Sequence, residues 1–198
     1  MTATEETIGY YDGNAKKFIA DTANVEFGTL QKAFADMLPK GGRILDLGCG
    51  SGRDSLAFLK AGFAVDAVDG SAEMASAASE LTGMRVEHAT FADFEPRRVY
   101  DGIWACSSLL HVPAAELPAI VAKYAAALKP GGCFYLSFKI GDHDGMRNGR
   151  WFTDMTEQSF RHLIDDVEDL TVERIDVTSD VRPGRADEKW LNAWCMRI

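Results

Sequence analysis

The chain has 198 residues, 46 % of them hydrophobic, with 21 Lys and Arg against 30 Asp and Glu, a formal charge of −9. That length buries a core without disulfide or metal staples, and the charge, with no run of Lys or Arg, disfavours a grip on the phosphate backbone of nucleic acid. Cys49, Cys106, Cys133 and Cys195 stand apart with no CxxC pair, which argues against a zinc knuckle or redox dithiol and predicts reduced core thiols. No apolar run approaches the ~18 residues that span a bilayer, and no basic-then-apolar leader opens the chain, so a soluble cytoplasmic protein is expected.

Phe27, Leu30, Phe34, Met37 and Leu38 form one apolar stripe, ended by Pro39 and Gly41-Gly42, that predicts a helix before the first strand. Residues 43–47 (RILDL) read as a short strand buried on both faces, followed by a glycine-rich turn over 48–52. Helical spacing over 56–60, a strand over 63–68 and a helix with Met74, Ala77, Ala78 and Leu81 on one face come next, with Ser71 as N-cap. Strands are expected over 84–88 and 101–105. Leu117, Ile120, Val121, Tyr124 and Leu128 then mark an amphipathic helix stopped by Pro130-Gly131-Gly132. A strand over 133–138 follows, then a helix carrying Phe160, Leu163, Ile164 and Val167 with Thr156 as its cap, and strands over 171–178 and 191–198. This alternation implies an α/β fold: a doubly wound, mostly parallel seven-stranded sheet with helices on both faces and an antiparallel edge hairpin. Residues 141–153, rich in Gly, Asp and Arg, read as a long irregular loop of the functional kind.

In a doubly wound sheet, ligands sit beyond the carboxyl ends of the strands, where strand order reverses. There the chain reads Leu45-Asp46-Leu47-Gly48-Cys49-Gly50-Ser51-Gly52-Arg53-Asp54-Ser55. The missing Cβ atoms let a ligand lie against the backbone, and the next helix offers free N–H groups. A dinucleotide fingerprint would need a third glycine where Arg53 stands. Asp69, at the end of the second strand, is placed to accept hydrogen bonds from both hydroxyls of a ribose, or else to shape an Asx turn with Gly70 and Ser71. Asp93 is a candidate acceptor for the exocyclic amine of an adenine with Phe94 at the ring, or a solvated loop acid beside a core aromatic.

In this order LDLGCGSG (45–52), AVDGS (67–71), the AxxADF stretch (89–94), YDGIWACSSLLHV (100–112) and LKPGG (128–132) resemble the class I S-adenosylmethionine-dependent methyltransferases. The resemblance covers nearly the whole chain, and GRDS (52–55) looks like the small bacterial members of the tellurite-resistance and thiopurine type. It implies one Rossmann-like domain over 1–198: an N-terminal helical lid (1–40), a cofactor-binding core (41–138), and a substrate loop with the C-terminal strands (139–198). It further implies S-adenosylmethionine as cofactor, with Gly48, Cys49, Gly50 and Arg53 in the turn at its methionine moiety and Asp46 near the ammonium group. Asp69, with Gly70 and Ser71, would hold the ribose. Met74, Asp93 and Phe94 would border the adenine, and the backbone of Cys106 and Ser107 would flank the methionine end. Tyr11, within Tyr10-Tyr11-Asp12, looks like the family's tyrosine lid, or belongs to a surface aromatic pair.

The implied reaction is methyl transfer to a small-molecule acceptor by in-line displacement. A non-catalytic binder of S-adenosylmethionine or S-adenosylhomocysteine and an NAD(P)-dependent oxidoreductase are the alternatives. His111 is the candidate catalytic base, or a histidine bonding a loop carbonyl, and with Arg150 and Trp151 it makes up the candidate substrate site. Lys139, Arg147 and Arg150 mark a place for an anionic acceptor, with Trp151 and Phe152 as its apolar wall, or else pair with surface acids. Cys106-Ser107-Ser108-Leu109 is not the acid- or Asn-Pro-Pro-aromatic motif of enzymes acting on planar amino groups, and so points to a small molecule. No metal is expected at His143, because on an extended segment Asp142 and Asp144 point away from it. No nucleic-acid or membrane partner is expected.

Overall fold

The computed structural model describes residues 1–22, 27–182 and 184–198. At its centre lies β1 (Arg43–Leu47), in which Ile44, Leu45 and Leu47 are fully buried. Both faces of this strand are covered, which is why it carries an apolar run rather than an alternation. It pairs in parallel with β2 (Ala64–Asp69) on one side and β4 (Tyr100–Ala105) on the other. Outward from these, β3 (Glu87–His88) joins β2 and β5 (Leu128–Lys139) joins β4, both parallel. Then β9 (Lys189–Arg197) runs antiparallel to β5 and β8 (Leu170–Ser179) antiparallel to β9, giving seven strands in the order β3-β2-β1-β4-β5-β9-β8. The chain winds from β1 towards β3, then crosses to β4, so the reversal of strand order falls between β1 and β4.

Two apolar layers enclose the sheet. Ile44 packs with Phe34 of α2 (Gly28–Ala35), Phe58 of α3 (Arg53–Lys60) and the sheet aromatics Trp104, Tyr135 and Trp194. Trp104 and Tyr135 stack with centroids 3.9 Å apart. On the other face Leu45 and Leu47 join Leu117, Val121 and Tyr124 of α5 (Leu117–Ala125) and Phe160, Leu163 and Ile164 of α6 (Glu157–Asp165). Ser71 caps α4 (Ala72–Thr82) by accepting the Met74 N–H at 3.2 Å, and Thr156 caps α6 in a capping box.

Two local expectations change. The 84–88 segment is a strand only at Glu87 and His88; ahead of them Val86 turns in to the α4 cluster and its N–H is taken by the Ser79 hydroxyl. The 141–153 stretch is not irregular: β6 (Asp144–Arg147) and β7 (Arg150–Thr153) form a two-stranded hairpin around Asn148-Gly149, both at positive φ (54° and 77°), as a tight hairpin turn requires. The N-terminal segment, expected as a helical lid, holds a second, longer helix ahead of α2, α1 (Ala3–Thr22), in which only Thr7 and Ala15 are buried. Among the described residues no helix is long and apolar enough to cross a membrane.

Candidate active site

A cavity of about 240 Å³ opens at the carboxyl ends of β1, β2 and β4, beneath α1 and beside β7 and the far ends of β8 and β9. Two glycines shape the turn after β1, one by close packing and one by leaving open space. A Cβ at Gly48 (φ +77°) would stand 2.5 Å from Ser108 Cβ, whereas one at Gly50 (φ +56°) meets nothing within 4 Å, so the cavity reaches the bare backbone there. Asp69 closes the turn: one carboxylate oxygen accepts the Gly50 N–H at 2.8 Å and the other the Ser71 N–H at 2.9 Å. The Asx turn and a ligand-facing role therefore coexist, since each oxygen keeps a further lone pair. Burial holds the Asp69 carboxyl above its ordinary range, against these two bonds.

Asp46 lies deeper, 2 % exposed, with Ser55 donating to it at 2.6 Å. Burial, and next the negative charge of Asp54, push its carboxyl up to about 8. Arg53 is the first residue of α3. Its guanidinium folds back onto Asp54 (2.8 and 3.0 Å) and over the Phe27 ring at 4.0 Å, while Asp54 also accepts from Trp104 Nε1 and Gln31. Cys49, Gly70, Ser71, Met74, Cys106 and Ser107 line the same cavity. Burial pushes the Cys106 thiol up to about 12 and the Cys49 thiol far up, so neither is a thiolate nucleophile at neutral pH. Ser107 adopts φ 54°, unusual outside glycine, and is held there by its N–H bond to Ser137 Oγ at 2.7 Å.

On the roof, His111 joins α1 to β7. Its Nδ1 lies 2.6 Å from the Trp151 carbonyl, which can only accept, so Nδ1 carries the proton and Nε2 accepts from the Tyr11 hydroxyl at 2.8 Å. Burial drives His111 down to about 4, against the Trp151 bond, and the charges of Arg150 and Arg147 act in the same direction as burial. Burial likewise raises the Tyr11 hydroxyl. α1 is pinned at two further points, where Thr7 Oγ1 accepts the Trp151 N–H at 2.9 Å and Asp12 accepts the Ser71 hydroxyl at 2.6 Å.

Asp93, Phe94 and Trp151 are not brought to the cavity. Asp93 is exposed and bonded to Thr90, and Phe94 stacks on Tyr124 in the core; Thr90 and Phe91 take their places in the lining. On β7 successive side chains alternate, so Arg150 and Phe152 face the cavity while the Trp151 indole turns away to Asp144 and Thr153. Arg147 pairs with Asp154, and Lys139 lines the cavity but pairs with Glu188. Sequence reading missed the contribution of β8 and β9: Asn192, 2 % exposed, accepts from Tyr135 at 2.6 Å and donates to Thr178 at 3.0 Å, forming a polar wall. A lone Asn in an apolar strand was the available signal.

Residues 44–132 match the family model of a methyltransferase domain. The ubiquinone biosynthesis O-methyltransferase of Xanthomonas axonopodis pv. citri (strain 306) is 32 % identical over 115 residues, 54 % of this chain and 47 % of that protein. The chain spans about half the length of the curated relatives it matches. Burkholderia thailandensis 1,6-didemethyltoxoflavin-N1-methyltransferase, solved with 1,6-didemethyltoxoflavin and S-adenosylhomocysteine, shares the fold at a TM-score of 0.73 and 22 % identity, over 96 % of this chain and 84 % of that one. So does magnesium protoporphyrin IX methyltransferase of Synechocystis PCC 6803 with bound S-adenosylmethionine, at a TM-score of 0.74 and 20 % identity over 100 % and 98 %. Residues 44–132 thus carry a methyltransferase domain, and the chain as a whole has the fold of these S-adenosylmethionine-dependent methyltransferases.

Proposed function

We propose that this protein transfers a methyl group from S-adenosylmethionine to a small-molecule acceptor that carries negative charge. The observation that carries the reading is the Asp69 carboxylate, with lone pairs to spare, facing the cavity beside the side-chain-free Gly50. The remaining lining fits the same cofactor: Met74 is an apolar surface for a base, and Asp46 is a buried carboxyl that an ammonium group would allow to ionise. When bound, the sulfonium supplies an activated methyl group, and the protein's main contribution is to hold acceptor and donor in line, worth about 7 to 11 kcal/mol.

The chain also offers a route for the acceptor's proton. An acceptor O–H placed against the Tyr11 oxygen gives its proton to Tyr11 while the Tyr11 proton passes to His111 Nε2, which is free of hydrogen in the tautomer that the Trp151 carbonyl requires. Arg150, a lining cation without a carboxylate partner among the described residues, supports an anionic acceptor. The four unpaired cysteines support a cytoplasmic setting. Against the oxidoreductase alternative stands Arg53, a paired side chain in the third-glycine position.

Isothermal titration with S-adenosylhomocysteine and, separately, NADH tests the reading. Micromolar binding of the first alone is expected, weakened about 1 to 3 kcal/mol by Asp69→Ala if its carboxylate bonds the ribose hydroxyls. Binding of NADH alone would overturn methyl transfer.

A further inference from the structure

The cavity is lined by Arg53, Lys139, Arg150, Arg182 and Arg185. Four of these cations have a carboxylate partner: Arg53 with Asp54, Lys139 and Arg185 with Glu188, Arg182 with Asp180. Arg150 has none among the described residues. Its Nε is buried and makes no hydrogen bond, and its one hydrogen bond is a long 3.3 Å contact from Nη1 to the Tyr11 hydroxyl. What surrounds the guanidinium is aromatic: the ring centres of Tyr10, Phe152 and Tyr11 lie 4.5, 5.0 and 5.6 Å from it. Aromatic faces hold a cation in place without neutralising it. A guanidinium presents five N–H donors in a planar fork that matches a carboxylate, and leaving a buried donor unpaired is costly.

From this, and resting on the methyltransferase reading above, we infer that Arg150 selects the acceptor, and that the acceptor is a small planar carboxylate whose carboxylate group sits on the Arg150 fork. The geometry narrows the class further. The Tyr11 oxygen that Arg150 touches is the one bonded to His111, so the hydroxyl that gives up its proton lies next to the carboxylate, as in a 2-hydroxybenzoate. Occupying the fork has a consequence for the base. After burial, the Arg150 charge is one of the causes that hold His111 low, and a carboxylate on Arg150 offsets it, so the correct acceptor strengthens the group that receives its proton.

The test is calorimetric titration of the protein saturated with S-adenosylhomocysteine, using 2-hydroxybenzoate and its neutral counterpart 2-hydroxybenzamide. Wild type should prefer the anion by roughly ten- to hundredfold. Arg150→Gln should abolish the preference, and Arg150→Lys, which keeps the charge but not the fork, should retain part of it. Unchanged affinity of Arg150→Gln for 2-hydroxybenzoate, no preference in wild type, or no binding by wild type at millimolar concentration would each overturn the inference. Titrating the variants with S-adenosylhomocysteine shows that they are folded and confines any loss to the acceptor side. Failure of wild type to bind S-adenosylhomocysteine overturns the methyltransferase reading and this inference with it, whereas cofactor binding without an anion preference overturns the inference alone.

Discussion

Asp46 ties ligand binding to stability at the level of one side chain. Its carboxyl is pushed up to about 8 in the folded protein by burial and by Asp54, against about 3.9 in an unfolded chain. Between those values the folded state keeps a proton that the unfolded state releases, so this group's contribution to stability is present at low pH and is lost as pH rises towards 8. Asp46→Asn removes that loss: in urea unfolding of the ligand-free protein the variant should gain on wild type from pH 5 to pH 8, by at most about 1.4 kcal/mol per pH unit, the slope of one proton. Parallel stability curves for the two proteins would show that Asp46 is ionised when ligand-free. His111 works with the opposite sign. Driven down to about 4 by burial, it resists the proton that an unfolded histidine takes near ~6.5, so it costs stability as pH falls through that window. The difference between variant and wild type isolates Asp46 from it.

Among the elements, α1 is held by polar pins together with a narrow apolar face of Ile8, Tyr11, Ala15 and Phe18. Thr7, Tyr11 and Asp12 reach Trp151, His111 and Ser71, and the helix buries only Thr7 and Ala15. Its inward face, Ile8, Tyr11, Ala15 and Phe18 at i, i+3, i+7 and i+10, is a narrow stripe of one side chain per turn, a weaker sequence signal than the broad face of a core helix. Gly13 is exposed within it, and a Cβ there would meet nothing within 4 Å. Gly13→Ala should therefore stabilise the protein by about 0.5 to 1 kcal/mol in chemical denaturation; a destabilised variant would mean that α1 is not helical there. The β6–β7 hairpin was legible in principle through Asn148-Gly149, but the surrounding Gly, Asp and Arg obscured the alternation of its strands.

Across the whole molecule, stability is unevenly spread. β4 and β5 lie in the middle of the sheet with nearly every apolar side chain buried, while α1 rests on the cavity's edge. Hydrogen exchange should follow that division, with amides of α1 exchanging at least about a hundredfold faster than those of β4 and β5, and S-adenosylhomocysteine slowing α1 in particular. Equal protection throughout would make α1 part of the cooperative core rather than a separable cover.

The doubly wound sheet, its edge hairpin and the glycine turn with Asp46 and Asp69 were readable from the amino-acid order because each depends on local rules. Buried strands need apolar runs, turns need residues without Cβ, and a strand end carries its acid to the place where strand order reverses. Asp93 and Phe94 fitted the same motif, yet one hydrogen bond to Thr90 and one stack on Tyr124 kept them from the cavity. Only the tertiary structure could decide what joins residues far apart in the chain. Tyr11 meets His111 100 positions away and Arg150 139 positions away, and Arg150 alone among the lining cations lacks an acid among the described residues. Whether a charge is paired depends on which side chains folding brings within about 4 Å of it, and no pattern along the chain encodes that distance.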